Sequence, residues 1–276
     1  MKVFGKEVPM SAAIGMLLVA VIAMASLCAP LIAPHGETET VGDVWMPPGA
    51  GHWLGTDSIG RDMFSRLLYG GRTTLGLALA ITLLSFSLGI VTGFAAAVLG
   101  RKVDQVLSRI VDTLMAMPVL IFALMILSVL GTSMPVLIGT IAILDSTRVF
   151  RLARLVAQGI AVQEYVEAAR LRGEGLAWII RREILPNAVP PLLAEFGMRF
   201  GFTILFVAGL SFLGLGIQPP YADWGGMVRD NAQVINFGGM APLVPAAAIA
   251  LLTIGINLIV DWLLSVRAVG QAGVIA

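Results

Sequence analysis

Residues 164–191 read EYVEAARLRGEGLAWIIRREILPNAVPP, a charged, helix-prone stretch flanked on both sides by apolar runs. Glu164 and Glu167 open a short helix, and Arg170 and Arg172 close it. The charges therefore run with the helix dipole, and Gly173 follows where a left-handed residue can cap the last turn. Beyond Gly175, the residues Leu176, Ile179, Ile180 and Ile184 fall on one stripe at helical spacing, while Arg181 and Arg182 face away from it. Pro186, Pro190 and Pro191 are expected to end that second helix. Two short helices, with Ala168 and Ala169 permitting close approach, predict a segment built to be gripped by a partner. An amphipathic segment lying on lipid headgroups is the competing reading.

What surrounds this stretch fixes the solvent. The 276 residues are 58% hydrophobic and 13% charged, with a mean hydropathy of +0.91. That balance belongs to a polytopic membrane protein and excludes a water-soluble core. A net charge of +1 points to neither nucleic acid nor an acidic partner. The single Cys28 excludes an intrachain disulfide and a thiol metal cluster, and bulky Leu27 before it argues against a lipid-acceptor cysteine. It reads as a small buried apolar side chain.

A hydrocarbon core of about 30 Å needs about 20 apolar residues in a helix. Six windows qualify, at 11–31, 74–99, 113–130, 134–150, 196–217 and 243–266. The predicted fold is all-α, a single six-span membrane domain over 1–276, with the first span an uncleaved anchor preceded by Lys2 and Lys6. Lys and Arg gather in the segments that an N-terminus inside the cell would leave inside: Arg101, Lys102 and Arg109, then Arg151, Arg154, Arg170, Arg172, Arg181 and Arg182. Both termini are thus predicted cytoplasmic, with a loop at 34–73 outside and the loop at 151–192 inside. Gly89 to Gly93 and Gly197 to Gly201 repeat at four-residue spacing, as helices packing closely in lipid require.

The run Glu167, Ala168, Ala169, Gly173, completed by Ile184, Leu185 and Pro186, resembles the EAA motif of binding-protein-dependent ABC transporter permeases. The likeness extends along nearly the whole chain and is strongest to the C-type permease of the dipeptide, oligopeptide and nickel group. HWLGTDSIGRDMFSRLLYGGRTTL from His52 is similar to that group's segment ahead of the second span, and LSFLGLGIQPPYADWGGMVRD from Leu210 to its segment at the end of the fifth. This resemblance implies a type I importer permease fold in the bacterial inner membrane. It also implies a heterodimer with a second permease, two ATPase subunits and a periplasmic solute-binding protein, within membrane lipid. No G-x-x-x-x-G-K-[ST] loop occurs, so ATP and Mg are expected on the ATPase chains, with no cofactor or metal here and no enzyme activity of its own.

The same resemblance implies coupling contacts at Glu167, Ala168, Ala169, Arg170, Gly173, Glu183, Leu185 and Pro186. Glu183 departs from the family pattern, which favours an apolar residue or His three before the proline. A carboxylate on the apolar stripe is costly, so it is expected to face a basic ATPase residue or an inner-loop Arg. Asp261 is retained near the inner end, whereas the tail SVRAVGQAGVIA differs from the longer charged tail of close relatives. The implied solute is a peptide or similar small polar molecule; nickel or another metal chelate, glutathione and opines stay open.

Charges near the span margins have two readings. Asp145 with Arg148, and Glu195 with Arg199, are spaced as ion pairs on one helix face near the inner mouth, or they line the translocation path. Asp112 and Asp261 have no evident local partner. His35 and His52 read as surface residues rather than metal ligands. Outside, the turn formers and charges of 55–62 suit a folded cap whose Asp57, Arg61 and Asp62 dock the binding protein, while Pro219, Trp224 and Asn231 suit the outer gate. A cap that packs only on its own permease is the alternative. An ion-coupled secondary transporter would show inverted repeats and midplane carboxylates, and a non-transporting scaffold would leave residues 164–191 without a purpose.

Overall fold

A computed structural model of the chain describes the backbone of residues 2–3, 6–7, 9–49 and 51–272, and the side chains of 9–49 and 51–265. The side chains of Lys2 and Lys6, and of the tail after Ser265, lie outside the described residues. Lys2–Val3 pairs antiparallel with Lys6–Glu7. Apart from that hairpin and two isolated bridges in the outer loop, the regular structure among the described residues is helical. It begins with α1 (Met10–Leu27) and the short α2 (Ala29–Ile32). Four more helices follow: α3 (Met63–Val98), α4 (Arg101–Met115), α5 (Val119–Leu130) and α6 (Met134–Ala161). Then come α7 (Glu164–Leu171), α8 (Leu176–Ile179), a π turn (Ile180–Ile184) and α9 (Leu185–Phe212). The chain closes with α10 (Trp224–Asp230), a 3-10 turn (Ala232–Phe237) and α11 (Leu243–Ala272).

Each expected apolar window falls on a helix, but several ends differ. The second begins at Met63 rather than 74, because nothing between the amphipathic lead-in and the span breaks the helix. Gly70 and Gly71 are tolerated there since their bare backbone admits neighbours: a Cβ on Gly70 would stand 3.2 Å from Met227 Sδ, and one on Gly71 would stand 2.8 Å from Trp224 Cζ2. The third window is cut at Pro118. Residues 113–115 belong to amphipathic α4, which meets α5 at 87°. With 12 residues α5 rises only about 18 Å. The fourth continues to Ala161.

The fifth departs most. The prolines expected to end a short helix lie inside one continuous helix of 37 residues, Leu176–Phe212. The π turn, with Leu185 N–H donating to Ile180 O, widens the helix just ahead of Pro186. At its far end Gly214 (φ +87°) donates to Ser211 O and Leu215 N–H donates to Leu210 O, a Schellman cap that stops the helix at Phe212 rather than 217.

Four helices are long and apolar enough to cross a bilayer: α1, α3, the helix Leu176–Phe212 and Leu243–Ser265 of α11. Counting the bent α4 and α5 pair as one span makes five. With 28 residues α6 has the length, but Asp145, Arg148, Arg151 and Arg154 exclude it on composition. Length and composition therefore do not reach the six expected spans.

Contacts group the chain into two compact units: residues 1–79, 132–134 and 200–276, and residues 80–131 and 135–199. In the first, α1 lies on α11 through bare backbone. A Cβ on Gly15 would stand 2.7 Å from Gly255 O, and one on Gly255 would stand 2.9 Å from Val19 Cγ2. Its core is Met63, Ala78, Ile204, Trp224, Met227, Leu252 and Ile256. In the second, Gly89 and Gly93 of α3 press on α6, where added Cβ atoms would meet Val149 Cβ at 2.5 Å and Ala153 Cβ at 2.8 Å. The core there joins Phe86, Phe94, Val149 and Ala153 to Val166, Ala169, Ile179 and Ile184. Val166, Ala169, Ile179 and Ile184 of the charged stretch are thus part of the second unit's core.

Candidate functional site

The segment 162–186 is built from local rules. Helix α7 starts after Gln163, whose carbonyl accepts from Val166 and Glu167 N–H. Glu164 and Glu167 lie in its first turn and Arg170 in its last, as the macrodipole favours. Gly173, at φ +84°, donates to Arg170 O at 2.9 Å, and Glu174 N–H donates to Ala169 O at 3.2 Å. That is a Schellman cap, and with no atom within 4 Å of a built Cβ the need for glycine is conformational rather than steric.

The neighbouring alanines part company. Val166 and Ala169 are buried at 0% exposure, against the core that holds Ile179 and Ile184, whereas Ala168 is exposed. The outward face is Glu164, Tyr165, Glu167, Ala168 and Leu171, the last 84% exposed. Arg170, Arg181 and Arg182 are exposed, and Arg172 stands 5.9 Å over the Trp178 ring. Leu185 and Pro186 are exposed too. Leu176, expected on the buried stripe, is 45% exposed. Glu183 sits in the π turn half-buried and off that stripe, its carbonyl accepting from Asn187 Nδ2 at 2.7 Å. No cation among the described residues forms an ion pair with it. The expected inner-loop Arg partner is therefore not found.

Two ion pairs that residue spacing did not suggest fasten α4 along α6. Arg154 grips Asp104 with both Nε and Nη2, the latter at 2.7 Å, and Arg151 Nη2 donates to Asp112 at 2.7 Å. Asp112 thus has a partner. The available signal was that an acidic pair at 104 and 112 and a basic pair at 151 and 154 share the same side of the membrane. Further along α9, Arg199 binds Glu195 at 2.6 Å, as the four-residue spacing predicts. Asp145 lies 3.7 Å from Arg199 on α9, and Arg148 on its own helix acts on it electrostatically.

The outer loop closes on itself. Asp57 Oδ1 accepts from Ile59 N–H at 3.0 Å and Arg61 N–H at 2.9 Å, while Oδ2 takes Arg61 Nε at 2.7 Å and lies 3.3 Å from Arg66 Nε. Asp62 Oδ2 caps α3 through Ser65 N–H at 2.8 Å and Ser65 Oγ at 2.7 Å, and Oδ1 lies 3.4 Å from His52 Nδ1. Asp57, Arg61 and Asp62 are 1%, 7% and 1% exposed. Their side chains are taken up in folding the loop.

The same holds for two of the three gate residues. Trp224 is buried, donating from Nε1 to Leu67 O at 2.9 Å, and Asn231 is buried, accepting from Ser58 N–H at 3.0 Å and donating to Met227 O at 2.9 Å. Pro219 is exposed beside Tyr221. Glu37 accepts from Ala222 N–H, so loop 34–62 is stitched to the α10 region by contacts across more than half the sequence. Asp223, outside the spans, caps α10 through Gly226 N–H at 3.1 Å, and burial pushes its carboxyl above the usual range. The rings of His35 and His52 stand 5.9 Å apart. Among the described residues no three His, Cys, Asp or Glu side chains converge as a metal would require.

Long apolar helices, glycine-mediated helix contacts and a capped helix presenting charge at one end define an integral membrane protein with a surface for a partner. Residues 87–266 match the family described as binding-protein-dependent transport system inner membrane component, and the chain belongs to that family as an ABC transporter permease subunit. A permease protein of Brucella suis biovar 1 is 39% identical over 91% of this chain and 84% of its own length. The dipeptide transport system permease protein of Alkalihalophilus pseudofirmus is 34% identical over 91% and 83%, and the nickel transport system permease protein of Escherichia coli K12 is 33% identical over 92% of each. A crystal structure of an amino acid ABC transporter with histidines shares the fold, with TM-score 0.54 and 21% identity over 71% of this chain and 91% of that one.

Proposed function

We propose that the chain forms half of the translocation pore of an ATP-driven importer of peptides or similarly small polar solutes, paired with a second permease. In this reading six helices cross the membrane. The charge on α6 is accommodated by Arg199 and by the α4 carboxylates, and both termini lie in the cytoplasm. Two ATPase subunits carry ATP and Mg, a periplasmic binding protein delivers the solute, and this chain holds no cofactor and hydrolyses nothing.

The observation that carries the reading is α7. Its inward face, Val166 and Ala169, is fixed in the core, and its outward face of Glu164, Glu167, Ala168 and Leu171 is left unsatisfied. A partner cleft that takes this face would pull on α6 and on the 37-residue helix that begins a few residues after it. Glu183, Leu185 and Pro186 flank that contact, with Glu183 meeting a basic residue of the ATPase. Closure of the ATPase dimer would then tilt the spans.

Cysteine at position 168 should cross-link to an ATPase subunit in the assembled complex, and cross-links confined to the permeases would sink the docking role. The nickel relative supports a second reading, import of a metal chelate. Proteoliposomes holding the whole importer, offered dialanine or nickel with ATP and no ion gradient, separate the two. Uptake that requires an ion gradient instead would favour a secondary transporter.

A further inference from the structure

Among the described residues, a buried carboxylate on α6 stands without a short hydrogen bond. Asp145 is 5% exposed, yet neither carboxylate oxygen accepts a hydrogen bond. The Ser85 hydroxyl is near enough to act on Asp145, but its short hydrogen bond goes to Ile81 O at 2.9 Å. The contact of Asp145 with Arg199 Nη1, at 3.7 Å, is longer than the about 2.7–2.9 Å of a charge-assisted hydrogen bond, and the short bond of that guanidinium goes to Glu195 at 2.6 Å. Arg148 and Glu195 lie close enough to act on Asp145 electrostatically. A buried carboxylate lacking donors is costly, and more so within a bilayer, so a donor from elsewhere is expected to complete it.

Its height says where that donor would come from. Asp145 lies 11 residues into α6, a rise of about 17 Å from Met134, and Arg199 lies 13 residues before Phe212, about 20 Å. Both values place the cluster near the middle of a hydrocarbon core about 30 Å thick. The side chains of Glu195 and Arg199 retain 14% and 19% exposure, so the cluster opens to one side of the chain.

We propose that Asp145, flanked by Arg199, Glu195 and Arg148, is a mid-membrane subsite for the primary ammonium of the transported solute. An ammonium supplies three donors to the two idle oxygens. The adjoining guanidinium groups complement a carbonyl or carboxylate a few ångströms along the same molecule, and the alternation of charge suits a zwitterion. The assignment rests on the peptide-importer reading above.

The test uses the complete importer in proteoliposomes, with radiolabelled dialanine, the binding protein and ATP. Dialanine delivered per ATP hydrolysed is the readout. Asp145→Asn keeps the shape and removes the charge; it is expected to lower that ratio about tenfold or more. Asp145→Arg combined with Arg199→Asp is expected to assemble but to leave the ratio equally low, because the acceptor now stands on the wrong helix. Recovery of the ratio in the exchanged pair, or a wild-type ratio in Asp145→Asn, would overturn the proposal, showing a structural ion pair. Failure of Asp145→Asn to assemble would overturn it too. No uptake of dialanine by the wild-type importer would instead refute the peptide reading and take the ammonium assignment with it.

Discussion

Residues 34–62 and residues 164–191 carry the same kind of sequence, glycines and alternating charge between apolar runs, and they fold in opposite senses. In residues 55–66 the charges turn inward: Asp57, Arg61, Asp62 and Arg66 are all under 10% exposed, Asp57 pairing with Arg61 and Arg66 while Asp62 caps Ser65 beside His52. In residues 164–182 they turn outward, and what is buried is Val166, Ala169 and Ile179. The difference lies in backbone geometry. An Asp in a turn can reach the N–H groups of the next few residues, as Asp57 reaches those of Ile59 and Arg61. The side chains of Glu164 and Glu167, in contrast, are exposed on α7, so their charge is left for solvent or a partner.

The contrast breaks most readily at Asp57. Asp57→Ala leaves Arg61 and Arg66 buried without their anion and should cost about 3–5 kcal/mol, read as a fall in the detergent unfolding temperature and in yield. An unchanged unfolding temperature would mean that the inward charges are not what holds the loop. Gly173→Ala should cost about 1–2 kcal/mol through its positive φ alone, since no neighbour obstructs a methyl group. The loss should appear as faster amide exchange confined to α7, and exchange spreading through both units would contradict a local cap. Asp104→Ala, at a half-open ion pair, should cost about 0.2–1 kcal/mol, with the effect shrinking in high salt. Leu171→Ser should change stability by less than about 0.5 kcal/mol, because the side chain is already in the open. It should nonetheless weaken capture of the ATPase by the permease pair in a pull-down, and loss of stability without loss of capture would reverse the outward assignment.

The same contrast explains how far sequence could be read. Apolar runs located every long helix, because burial in lipid needs only composition. The cap at Gly173 was legible since all its partners lie within five residues. Helix ends were not, wherever a distant group contributes to them: α3 runs on through Gly70 and Gly71, where Trp224 and Met227 pack, and amphipathic α4 is held along α6 by Asp104 and Asp112 pairing with Arg154 and Arg151. The outer trio looked available for docking because the stitches that enclose its loop come from Ala222 and Asn231, more than 160 residues away. The burial of Trp224 was hidden from sequence for the same reason: its indole donates to Leu67 O.

The π turn at Ile180–Ile184 holds one residue more than the α-helical turn it replaces. Everything downstream, through Glu195 and Arg199 to Phe212, is consequently rotated by about 100° relative to Ile179. Straightening those five residues into regular α-helix without deleting one would turn Arg199 away from Asp145 while α7 stays seated in its core. The angular phase between the partner-facing end and the membrane-facing end of this helix is thus set by one peptide unit.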